Sequence, residues 1–270
     1  MPSSSDQRPF GKYLLLRELG RGGMGVVWLA RDVSLKREVA LKTLTDPEAG
    51  PSEVERLRRE AQAVAQLRHP NIVQVYEVGF EAGRAYFTME FVRGASLDRA
   101  ARTMDLRRKV EVVRDLASAL DYAHVHGVIH RDVKPSNVLV AEDGRAVLTD
   151  FGLARNQRDP KNLTVAGTIM GTPNFMAPEQ VDGDPEKIGG RTDVFALGSV
   201  LYLLLCGRSP FERPEPMATL HAVLTVDPPP ERTGGAPQPR RGHLQSQPAA
   251  ADRRFAGGRP TSEPADGSVV

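Results

Sequence analysis

The feature that most narrows what this chain can fold into is a change of period near Arg93 and Gly94. Before it, apolar and polar residues alternate in the short runs YLLLREL, VVWLARD, EVALKTL, HPNIVQVYEVGF and RAYFTMEFV, as in strands with one buried face. After it, Val110, Val113, Leu116, Leu120 and Ala123 recur at helical spacing in one long helix that Gly127 is placed to close. A single helix interrupts the first part. PSEVERLRREAQAVAQL opens on Pro51 with a Ser52-x-x-Glu55 capping pattern and carries Val54, Leu57, Ala61 and Val64 on one stripe. The expected fold class is α+β, with two lobes: an antiparallel sheet plus one helix, then a mainly helical lobe.

Residues 1–9 are polar and read as a frayed leader, 10–93 as the sheet lobe and 94–227 as the helical lobe. From 228 to 270, Pro and Gly make up about a third of the residues, the signature of a chain that buries too little to order itself. A disordered tail is expected there. Between 156 and 173 runs a Thr-rich loop long enough to point to function.

Charge excludes some partners. Lys plus Arg (36) nearly balances Asp plus Glu (34), so no basic surface argues for nucleic acid. The apolar run VFALGSVLYLLLC is shorter than the roughly 20 residues a membrane span needs, and reads as a buried helix. One cysteine, Cys206, and an N-terminus without an apolar signal core suggest a reducing, cytoplasmic setting.

The chemistry starts at Gly20-Arg21-Gly22-Gly23-Met24-Gly25. A dinucleotide site would need a helix directly after the glycines, whereas here a strand follows, which suits a flap of backbone N–H groups over nucleotide phosphates. Strand alternation places Ala40 and Lys42 on one face, a small apolar residue beside a cation. Glu60 lies on the helix, where it is a solvated charge unless something buried needs it. In VIHRDVKPSNVLV, Asp132, Lys134 and Asn137 supply a carboxylate for a hydroxyl, a cation and an oxygen ligand for a metal, and Asp150 adds a second metal ligand. Each piece alone also suits a plain structural role: a glycine hairpin, a strand-edge lysine, a turn capped by Asp and Asn.

Five motifs in order, GRGGMGVV, VALK, HRDVKPSN, DFG and APE (Ala177 to Glu179), make the chain resemble the eukaryotic-type protein kinase superfamily, and its bacterial Ser/Thr branch in particular, from Tyr13 to Asp227. The resemblance implies the two-lobed kinase fold and ATP with Mg²⁺ as cofactors. It implies that Gly20, Gly22 and Gly25, with Arg21, Gly23, Met24 and Val26 in the same flap, cover the phosphates, and that Lys42 holds them while paired with Glu60. Leu19, Val27, Ala40 and Leu139 would sandwich adenine. Met89 would precede a hinge running from Glu90 to Val92. Asp132 would be the catalytic base and Lys134 would steady the γ-phosphate, while Asn137 and Asp150 would hold Mg²⁺.

Lys134 and the stretch GTPNFMAPE are more similar to Ser/Thr than to Tyr kinases, which implies protein substrates with Ser or Thr acceptors. The Thr-rich platform argues against a small-molecule phosphotransferase; a catalytically impaired ATP-binding scaffold is the stronger alternative. Thr164 and Thr168 are the expected activation sites, modified through self-association, with Arg131 receiving the phosphate. Thr172 is expected to shape the acceptor site. In the family, later helices cover the lower lobe and supply an arginine to the APE glutamate, here Glu179. This chain continues instead into its Pro/Gly/Ala/Arg-rich tail, so an incomplete, weakened lower lobe of low activity is expected, as from a truncated or frame-shifted gene.

Overall fold

Period-two alternation builds the upper lobe. In the computed structural model, which describes residues 8–22, 25–44, 59–151 and 173–230, six strands form one antiparallel sheet. They are β1 (Arg8–Phe10), β2 (Tyr13–Gly22), β3 (Gly25–Asp32), β4 (Arg37–Leu44), β5 (Val75–Glu81) and β6 (Arg84–Glu90), in the order β1-β2-β3-β4-β6-β5. The two faces of β4 bury different partners. Val39 and Leu41 pack with Tyr13, Ala30 and Tyr86 on the outer face. Ala40 joins Phe87, Met89 and the helix residues Ala61 and Val64 on the inner one. That helix, α1, is described over 59–65, so Val54, Leu57 and its expected cap lie outside the described residues.

Two expectations shift. β1 starts at Arg8, inside the segment read as a leader, and its Phe10 meets Tyr86 edge-on at 5.3 Å. HPNIVQ is no strand of the sheet, because its main chain turns to the lower lobe. Val73 N donates to Leu148 O (3.0 Å) and Leu148 N donates to Asn71 O (2.8 Å), leaving only a single parallel bridge between Ile72 and Leu148.

The lower lobe contains β7 (Gly94–Ser96), α2 (Leu97–Ala100), α3 (Leu106–Val125), β8 (Val138–Ala141), β9 (Ala146–Leu148), α4 (Pro178–Asp182), α5 (Gly190–Cys206) and α6 (Pro216–Thr225), with β7, β8 and β9 in a small antiparallel sheet. α3 begins where the Asp105 carboxylate accepts from Arg108 N (2.7 Å) and ends at Gly127, whose φ of 75° is left-handed. Its buried stripe is Val112, Leu116, Ala119, Leu120 and Ala123, whereas Val110, expected inside, is 49% exposed. α3 packs against α5, and Ala119 and Ala123 share one core cluster with Ala196, Val200 and Leu204 of α5. One core runs through both lobes, joining Ala40 and Phe87 to Leu97, Val138 and Leu148.

α5 is apolar nearly all round, yet it is not covered all round. Ala196, Val200 and Leu204 are buried while Val194 is 62% exposed. No helix among the described residues is long and apolar enough to cross a membrane. The chain divides into units Met1–Glu231 and Arg232–Val270, and the second unit, with nearly all of the expected tail, lies outside the described residues.

Candidate active site

The loop 128–137 is fixed from below by one carboxylate. Asp193, in the first turn of α5 and fully buried, accepts from His130 N (2.8 Å) and His124 Nε2 (2.7 Å) at Oδ2 and from Arg131 N (2.7 Å) at Oδ1. Three donors on one carboxylate offset the cost of burying its charge. Gln180 of α4 adds a further tie, donating from Nε2 to Arg131 O (2.8 Å) while its Oε1 accepts from Ala177 N (3.0 Å).

His130, also fully buried, continues the chain of bonds upward. Its Nε2 lies 2.9 Å from Thr149 O and its Nδ1 accepts from Asp132 N at 3.2 Å, which requires a neutral ring protonated at Nε2. Burial pushes its pKa below the usual histidine value, more than the nearby Asp193 raises it. Phe151 packs against the ring with centroids 4.5 Å apart and is itself 3% exposed.

Above this base the chemical groups converge. The Asp132 carboxylate Oδ2 is 2.9 Å from Lys134 Nζ and accepts from Asn137 Nδ2 at 3.0 Å. Asn137 Nδ2 also donates to Asp132 O (2.8 Å), and Asn137 O accepts from Thr149 N (2.8 Å), so the turn is latched to the strand end that carries Asp150. Across the cleft, Lys42 Nζ of β4 bridges Asp150 Oδ1 at 2.6 Å with the lysine side chain 11% exposed. Arg131 and Asp150 both take positive φ (66° and 56°), a strain of about 1–3 kcal/mol each that the surrounding hydrogen bonds hold in place.

The apolar part of the expected site is also assembled. Val27, Ala40, Met89, Val92 and Leu139 belong to one cluster, with Ala40 paired to Met89 across β4 and β6. Leu19 stands apart at 36% exposure on the outer end of β2. Among the glycines, Gly25 is sterically required, because a Cβ there would lie 2.0 Å from Thr43 O and its φ is 148°. Gly20 and Gly22 face open space. Arg21 pairs with Glu18 (2.7 Å) on the surface, and Val26 is buried with its carbonyl accepting from Thr43 Oγ1 (3.3 Å).

Lys42 is given a carboxylate other than the expected one, Asp150 where Glu60 was anticipated. Glu60 lines a cavity of about 150 Å³ with Val64, Val128, Arg131 and Phe151. Glu179 likewise has a partner the sequence did not suggest, accepting from Thr192 Oγ1 at 2.6 Å. Gly23, Met24, Thr164, Thr168 and Thr172 lie outside the described residues. Sequence reasoning passed over Asp193, His124 and Gln180. The available signal was an acid in the first turn of a long apolar helix, since such a residue is rarely buried unless polar partners meet it.

Comparison with known proteins follows the same outline. The model of the protein kinase domain family matches residues 13–229. The chain is similar to the serine/threonine-protein kinase PknB of Mycobacterium leprae (strain TN), 40% identical over 225 residues, covering 80% of this chain and 36% of the relative. It is similar also to the serine/threonine-protein kinase PknD of Mycobacterium tuberculosis (strain CDC 1551 / Oshkosh), 41% identical over 254 residues, 92% of this chain and 36% of the relative. The chain thus spans about a third of the length of these curated relatives. Among solved structures, the crystal structure of the M. tuberculosis PknI kinase domain aligns with a TM-score of 0.63 at 31% identity, covering 77% of this chain and 78% of that one.

Proposed function

Because the chain belongs to the protein kinase domain family, we propose that it transfers the γ-phosphoryl group of ATP to Ser or Thr hydroxyls of protein substrates. The observation that carries this reading is the Asp132 carboxylate, held between Lys134 Nζ (2.9 Å) and Asn137 Nδ2 (3.0 Å) on a loop buried from below. Asp132 orients the acceptor hydroxyl and takes its proton as the new bond forms. Lys134, already beside that carboxylate, stabilises negative charge on the migrating group. Lys42 reaches over the cleft to the phosphates from the upper lobe. The backbone at 90–92 meets the adenine edge, and the cluster around Ala40 and Met89 excludes water from the ring.

The donor set fits Mg²⁺. Asn137 turns its amide nitrogen to Asp132, which directs Oδ1 the other way, and Asp150 presents a carboxylate from the adjoining strand end. These are the hard oxygen donors Mg²⁺ takes, few in number because phosphates and waters complete its shell. When bound, the ion would neutralise phosphate charge. Among the described residues no group of three or more His, Cys, Asp or Glu forms a protein-only metal cage.

Thr164 and Thr168 are the proposed sites of autophosphorylation, and Arg131 the cation that receives the phosphate, its backbone already anchored at both N (2.7 Å) and O (2.8 Å). The cytoplasm, where ATP is made and Cys206 stays reduced, is the proposed compartment. The test is incubation of purified protein with Mg²⁺ and labelled ATP beside the Asp132→Asn variant. Label should pass to the wild type or to a basic test protein and not in the variant. Equal labelling by both proteins would sink the assignment, and mass spectrometry finding neither threonine modified in a fully active protein would sink the proposed activation.

A further inference from the structure

The hinge region is braced from the lower lobe by a side chain outside every motif above. Arg145 sits between the turn at Gly144 and strand β9. Its Nη1 donates to Pro70 O (2.9 Å) and its Nη2 to Glu90 Oε1 (2.8 Å), while Asp143 Oδ2 lies 3.8 Å from Nε. Both side chains of the pair are mostly covered, 32% exposed for Arg145 and 26% for Glu90. One planar guanidinium therefore joins a lower-lobe hairpin to two separate points of the upper lobe, as its fork of donors allows and a lysine's single ammonium does not.

Both points matter to the cleft. Glu90 is the last residue of β6, and its main chain is already held by pairing with Val39 and by donation from its N to Gln74 O (2.9 Å). Its side chain supplies the tie to the lower lobe. Pro70 lies in the loop that follows α1, where Asn71 Nδ2 donates to Ala146 O (2.7 Å) and Leu148 N donates to Asn71 O (2.8 Å). Ala146–Leu148 is β9, which leads directly to Thr149 and Asp150. The end of the hinge that meets adenine and the strand that carries the phosphate-side carboxylate are thus registered against each other through Arg145.

We infer that Arg145 is a positioning residue for the nucleotide, acting through Glu90 to hold the hinge backbone at a fixed distance from Asp150. The inference rests on the kinase reading above. Backbone bonds at 71–73 keep the lobes joined without it, so its loss loosens the hinge and leaves the fold. The Asp132 loop is anchored to Asp193 and Gln180 and not to Arg145, so loosening should weaken nucleotide binding and spare the transfer step.

The experiment compares wild type, Arg145→Ala, Arg145→Lys, Glu90→Gln and the Arg145→Ala/Glu90→Gln double variant. The readouts are ATP KM, kcat, the Kd of a fluorescent ATP analogue and the melting temperature. Arg145→Ala and Glu90→Gln should each raise ATP KM and analogue Kd about fivefold, the size of one partly exposed charged hydrogen bond. The double variant should do no worse than either single one, kcat should stay within about twofold, and Arg145→Lys should recover part of the affinity. Unchanged analogue affinity in Arg145→Ala, additive losses in the double variant, or a fall in kcat matching the rise in KM overturns the inference. Wild-type protein that binds no analogue overturns the kinase reading instead, so the two failures are separable.

Discussion

Two stretches border the same cleft and are built in opposite ways. The loop 128–137 is hydrogen-bonded at almost every turn: His130 N and Arg131 N to Asp193, Arg131 O to Gln180, Asp132 N to His130 Nδ1, and Asp132 O to Asn137. The end of β2, from Glu18 to Gly22, is exposed throughout, its one described side-chain bond is the local Arg21–Glu18 pair, and Gly20 and Gly22 look onto open space. The difference agrees with the roles proposed for each. A carboxylate that takes a proton in one geometry gains from a rigid, buried support, because misplacement by about 1 Å costs orders of magnitude in rate. A phosphate cover has to admit and release its ligand, and burying it would oppose that.

The comparison is tested first at its rigid end. Asp132→Asn should lower phosphoryl transfer by about 10³-fold, within the usual range for loss of a general base, with nucleotide Kd within about twofold. Single-turnover kinetics beside equilibrium binding would check it, and parallel loss of both would contradict a role confined to the acceptor. Asp193→Ala removes the fully buried acceptor shared by three donors and should cost about 3–5 kcal/mol in urea unfolding. A loss below about 1 kcal/mol would mean that the loop is held by something other than α5.

The glycines separate the two designs within one motif. Gly25→Ala would drive a Cβ into Thr43 O and should destabilise by about 1–3 kcal/mol, whereas Gly20→Ala should leave the melting temperature nearly unchanged and act only on nucleotide affinity. Equal stability losses would erase the distinction between them.

Acidification probes the base of the loop. His130 is buried and neutral with its pKa lowered by desolvation, so below its unfolded value of about 6.5 the unfolded chain binds a proton that the folded one refuses. Stability should therefore fall as pH drops through that window, by up to about 1.4 kcal/mol per pH unit from this group. Its share is measured as the slope missing in His130→Phe, and identical slopes in the two proteins would show that the ring is not the titrating group. The smallest effect is expected at the exposed end, where Arg21→Ala should change stability by less than about 0.5 kcal/mol because a surface pair is well screened. A larger loss in thermal melts would show that the end of β2 is held more firmly than its exposure implies.

Much of this was legible in one dimension because it depends on local period and short-range chemistry. Alternation in EVALKTL was enough to put Ala40 and Lys42 on a face opposite Val39 and Leu41, and the structure has them so. Six residues of HRDVKPSN were enough to bring Asp132, Lys134 and Asn137 within hydrogen-bond reach, since a tight turn leaves them little choice. The break of period near Gly94 falls where β7 begins.

What tertiary structure alone decided is which distant groups meet. No spacing in the chain connects Asp193 to His130 and Arg131 some sixty positions earlier, and only the packing of α5 beneath the loop brings its buried carboxylate to those amides. The same holds for Lys42, whose choice of Asp150 over Glu60 depends on how the strand end and α1 sit about the cleft, and for Arg145, an ordinary turn arginine until Pro70 and Glu90 come within its reach. Periodicity reports which face of an element avoids water. It carries no record of which element covers that face, because the burial that drives folding is proportional to area and indifferent to partner, whereas a hydrogen bond is decided by tenths of an ångström.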